Sequence, residues 1–176
     1  MNKLWGSLMV LLAVASVGLA WHEAPPRPAE GQRLSWAELI PPGWRPLANP
    51  ADVAALRDDS PAGRRRWAEL ERQWESAPLR QSLDGLQVRL AGFAVPLEGN
   101  AIGMTEFLLV PYYGACIHSP PPPANQVVWV RLLKPLPRLG SFDPIEVAGP
   151  LTVQRQRSAL AASGYRMDGA VLVDGR

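Results

Sequence analysis

The spacing of apolar residues changes near residue 83 and separates a helical part of the chain from a stranded one. Between Ser60 and Ala77, Trp67, Leu70 and Trp74 fall at i, i+3 and i+7, one face of a helix. Ser60-Pro61 marks its start, because a serine hydroxyl can cap an orphan backbone N–H and a proline has no N–H to leave unpaired. The stripe predicts a face packed on the core, so Trp67→Ala or Trp74→Ala is expected to cost about 3–5 kcal/mol where the ring is fully packed. Stacking of these tryptophans on a cofactor is the alternative. Upstream, Leu34 to Ile40 reads as a short helix stopped by Pro41-Pro42-Gly43, with Trp44 turned back onto the body.

From Leu83 onward the apolar runs shorten to strand length, with Gly, Pro, Asp and Asn between them. Asp84-Gly85 leads into Leu86 to Val95, where Leu86, Val88, Leu90 and Phe93 approximate alternation and Gly92 permits a bulge. Phe107 to Val110, Val127 to Leu133, Ile145 to Val153 and Tyr165 to Val173 supply four more strands, with a short helix expected near Gln154 to Ser163 and Gly164 as its cap. Five short strands with a helical N-terminal segment predict a mainly β (α+β) domain. A small five-stranded OB-like barrel suits the count and lengths better than a two-sheet sandwich. Residues 34–176 form the single domain expected of this length, with 34–82 as its helical part and 83–176 as its barrel.

Ahead of that domain, Met1-Asn2-Lys3 precedes an uncharged apolar stretch from Leu4 to Ala20 that ends Gly18-Leu19-Ala20. A basic start, an apolar middle and small residues at −3 and −1 predict a signal peptide over 1–20, cleaved before Trp21, and a periplasmic protein. The alternative is an inner-membrane anchor over residues 4–20, since the run approaches the length of a spanning helix. No cysteine stands near the cleavage position, so no lipid anchor is expected. Residues 21–33, with Pro25, Pro26 and Pro28, read as a Pro-rich tether.

Charge narrows the partners. Lys and Arg number 18 against 16 Asp and Glu, a formal +2 that falls by one when Lys3 leaves with the signal. A near-neutral chain has no field to gather phosphates, so nucleic-acid binding is not expected. Arg64, Arg65 and Arg66 cluster, but Glu69, Glu71 and Glu75 follow on the same helix, as on a solvated face. There is no internal repeat, no Gly-rich phosphate loop and no serine elbow.

One segment carries candidate chemistry. Phe107 to Gln126 delivers a strand to Pro111, then a loop with Gly114, Cys116 and His118, then Pro120 to Pro123, Asn125 and Gln126. Four consecutive prolines cannot pair as a central strand and stiffen the loop's return. Cys116 is the single cysteine, and His22 is the only histidine besides His118. Thiolate and imidazole are good ligands for zinc or copper(I), and Cys-x-His lets both point one way on extended chain. A site needs at least a third ligand, and Glu98, Glu106 and Asp143 are the nearest carboxylates. Three readings stay open: Cys116 as a buried small hydrophobe, as a metal ligand with His118, or as a nucleophile with His118 as base. Asn125 and Gln126 can orient His118 or satisfy the local backbone. With no Cys-x-x-Cys, dithiol exchange within one chain is excluded.

Gly92-Phe93-Ala94-Val95-Pro96-Leu97-Glu98, followed by the Gly-Ala-Cys-Ile-His and Pro-Pro-Pro-Pro-Ala-Asn-Gln run, resembles a bacterial family known as domain of unknown function 3299, from about Trp36 to the C-terminus. That resemblance implies an exported protein, often encoded beside ABC-type exporter or lipoprotein-transport components and, in some bacteria, among zinc-starvation genes. It carries over Cys116, His118, Asn125 and Gln126 as candidate site residues without assigned roles. The expectation is a periplasmic accessory or binding protein, with zinc on Cys116 and His118 and a membrane transporter or periplasmic protein as partner. A Cys116-dependent enzyme and a metal-free adaptor are the alternatives.

Overall fold

The computed structural model describes residues 31–46, 59–100, 103–116, 121–136 and 142–173. The signal segment, most of the tether, His22 and His118 lie outside the described residues.

Strands β1 (Gln32–Leu34), β2 (Gln87–Asn100), β3 (Gly103–Val110), β4 (Val128–Leu136), β5 (Pro144–Thr152) and β8 (Tyr165–Leu172) make one sheet in the order β1-β2-β3-β4-β8-β5. It closes because β2 is long enough to pair twice: its first half, Gln87 to Phe93, runs antiparallel to β5, and its second half, Phe93 to Asn100, antiparallel to β3. The closed set is the expected OB-like mixed barrel of five strands, β4 and β8 forming its parallel pair. Closure removes the unpaired edges that an open sheet of this size would expose. β1 adds a parallel flap along β2, so Gln32 and Arg33, expected in the tether, belong to the sheet.

Strand alternation sorts the side chains into two layers. Val88, Leu90, Phe107, Leu109, Val128, Val130, Val147, Leu151 and Met167 point into the barrel. The opposite faces of β2, β3 and β4 are buried too, with Val95, Leu108, Val110 and Val127 beneath a second apolar cluster. Burial on both faces explains why Phe107 to Val110 reads as a continuous apolar run.

Several local expectations are corrected. Leu34 lies in β1, and the helix expected over Leu34 to Ile40 shrinks to a 3-10 turn at Trp36–Leu39. Gly92 makes no bulge; the register shifts lie at Pro96 to Gly99 instead. Gly92 serves close approach: a Cβ there would stand 2.7 Å from the Val110 carbonyl oxygen and 2.9 Å from the Trp36 ring.

The helix expected near Gln154 to Ser163 is a hairpin, β6 (Gln156–Arg157) against β7 (Ala162–Ser163). Ser158 decides this: its N–H donates to the Ala161 carbonyl at 2.9 Å, and its hydroxyl accepts from the N–H groups of Leu160 and Ala161 at 3.1 Å. Such local side-chain bonding competes with a helix. Gly164 is therefore no helix cap; a Cβ there would fall 2.2 Å from Leu79 and 2.7 Å from the Ala124 carbonyl oxygen.

Helix α1 (Pro61–Glu75) forms as expected, Ser60 Oγ accepting from the Gly63 N–H at 2.9 Å, and stops two residues short of Ala77. Its stripe is not part of either apolar cluster of the barrel among the described residues. Trp74 is buried, while Trp67 and Leu70 are only half-buried. The expected burial of the stripe thus holds at Trp74 and not at Trp67 or Leu70.

Candidate functional site

After Val110 the chain turns back over the outer face of the barrel. Gly114 at φ 80° and Cys116 at φ 70° make that reversal, and the second is a conformation L-residues other than glycine adopt at a cost. The loop lays Tyr112, Ala115 and Cys116 on Val95, Leu108, Val110 and Val127, with Phe142 and Ala161 closing the cluster. Phe142, also at positive φ (66°), packs against the exposed Tyr113 ring at 5.1 Å, and Phe93 meets Tyr113 edge-on at 6.1 Å.

Cys116 is half-buried, and burial pushes its thiol up to about 12. Burial, then the neighbouring Cys116, pushes the Tyr112 hydroxyl up to about 12 as well. At neutral pH the resting thiol is therefore protonated, the form that neither attacks an electrophile nor binds metal. A metal ion would have to displace that proton.

The other candidate residues are dispersed. Glu98 lies on β2 in register with Glu106 across the ladder. Glu106 is buried and engaged, accepting from the Trp129 indole N–H at 3.3 Å and from Arg131 Nε. The Asp143 carbonyl accepts from the Ala94 N–H at 3.2 Å. Among the described residues, no three His, Cys, Asp or Glu side chains come together as a metal set. Asn125 and Gln126 work as clamps. Asn125 Nδ2 donates to the Pro78 carbonyl at 3.1 Å and Gln126 Nε2 to the Trp36 carbonyl at 2.7 Å, tying the segments on either side of α1 to the short turn Ala124–Gln126.

A groove of about 370 Å³ lies between α1, the proline segment and the β6-β7 hairpin. Trp67, Leu70 and Trp74 form one wall, Pro121 and Pro122 another, and Leu160 the third. Leu160 and Ala161 pack on the second apolar cluster, and arginines tie the helix wall to the hairpin. Arg155 donates to the carbonyls of Glu75 at 2.6 Å, Ser76 at 3.1 Å and Ala77, where helix carbonyls lack intrahelical partners. Arg157 makes a bidentate pair with Glu75 at 2.7 and 2.5 Å.

In and beside this layer the indole N–H of Trp74, Oδ1 of Asn125 and Oγ of Ser163 are buried without a hydrogen-bond partner. Such groups are costly unless something else satisfies them. The tryptophan stripe was the legible signal for one wall. The opposite wall was hidden because Gln154 to Ser163 reads as a helix.

The family described as Protein of unknown function (DUF3299) matches residues 36–173, and the chain belongs to that family. A crystal structure of a DUF3299 family protein from Pseudomonas aeruginosa PAO1 is similar to this one with a TM-score of 0.64 and 39% sequence identity, over 83% of this chain and 98% of that one. No curated protein matches the chain. The matched span takes in α1, the proline segment and the hairpin as well as the barrel, so all three walls of the groove fall within it.

Proposed function

We propose that this member of the DUF3299 family is an exported, non-catalytic binding protein that engages a protein partner through the groove beside α1. The groove itself carries the reading. An amphipathic helix is tied to the hairpin by Arg155 and Arg157 and leaves Trp67 and Leu70 of its apolar stripe half-buried, with two tryptophans and two prolines lining the groove. A helix needed only for stability would bury that stripe. The N-terminal pattern Lys3, Leu4 to Ala20 and Gly18-x-Ala20 supports export to the periplasm, where a membrane transporter or another periplasmic protein is the partner.

A photo-crosslinking residue placed at Leu70 or Leu160 in living cells tests this. A discrete protein adduct at both positions, absent for the same residue at exposed Leu133, is the expected result. Adducts of equal strength at Leu133 would end the reading.

A metal-linked version has one specific observation in its favour: Cys116 is held at φ 70° beside Tyr112, and unfavourable backbone conformations gather at functional sites. In that version Cys116 and His118 hold zinc and further ligands come from the partner. Metal content of purified wild type against Cys116→Ala tests it; equal zinc in both would remove Cys116 as a ligand.

A further inference from the structure

We draw no further inference here: the strongest candidate, the groove of about 370 Å³ between α1, the Pro121-Pro122 segment and the β6-β7 hairpin, belongs to the site already described, and nothing in the structure shows what covers it.

Discussion

The barrel interior and the layer outside it are built from the same apolar residue types but held by different forces. Inside, branched and aromatic side chains fill the space, and the one polar atom among the largest, the Tyr165 hydroxyl, is fully used. It accepts from the Arg80 N–H at 2.8 Å and donates to the Leu39 carbonyl at 2.6 Å. Outside, α1 and the hairpin are tied by Arg155 and Arg157, and the Trp74 indole N–H stays buried without a partner. The barrel thus meets the needs of its largest buried polar side chain from the chain's own backbone, whereas the outer layer leaves Trp67 and Leu70 half-buried and the Trp74 donor unpaired.

The sharpest way to break that contrast is to truncate one large side chain in each region. Phe107→Ala inside the barrel should lower unfolding free energy by about 3–5 kcal/mol in urea denaturation. Trp67→Ala on the groove should lower it by less than about 1 kcal/mol. Similar losses would mean that α1 is part of the core after all.

Tyr165→Phe probes the junction between the regions, since its hydroxyl links the 3-10 turn before α1 to the segment after it. It removes two hydrogen bonds and leaves a buried carbonyl and N–H, for an expected loss of about 2–3 kcal/mol. A loss near zero would show that water replaces the hydroxyl.

Arg155→Ala should cost about 1–2 kcal/mol, since charge-assisted bonds to helix-end carbonyls are worth more than neutral ones. Its signature is regional: hydrogen exchange should accelerate over Arg72 to Ala77 and stay unchanged in β3 and β4. Uniform acceleration would mean that α1 and the barrel unfold as one unit.

The smallest effect at neutral pH belongs to Cys116. With its thiol raised from 9.0 to about 12, the folded chain keeps its proton where the unfolded chain loses it. Stability is therefore constant below pH 9 and falls as pH rises from 9 towards 12. At pH 8 iodoacetamide should alkylate the native thiol at least about a hundredfold more slowly than the unfolded one, because a tenfold change in thiolate accompanies each pH unit. A native rate equal to the unfolded rate would contradict the burial. A native rate that a chelator increases would point to a metal already on the thiol.

Much of the architecture was legible because it depends on local pattern. The run Val127 to Leu133, the α1 stripe from Trp67 to Trp74 and the Ser60-Pro61 start each state their own element, since periodicity and capping are properties of neighbours in sequence. Membership of the family was legible in the run from Phe107 to Gln126. The site was less so. The residues around Cys116 and His118 were noticeable for their chemistry, yet tertiary packing puts the Cys116 thiol in an apolar cluster and turns Asn125 and Gln126 into clamps on Pro78 and Trp36.

What the sequence alone determined is which stretches pair or coil, and the apolar faces they bring. Only the tertiary structure decided that β2 bends far enough to close the ring on both β3 and β5, that Ser158 makes a hairpin of an expected helix, and that Arg155 fixes α1 beside that hairpin. Closure, the hairpin's docking and the groove depend on contacts between residues as far apart as Glu75 and Arg157, and no local periodicity encodes the energy of such a contact.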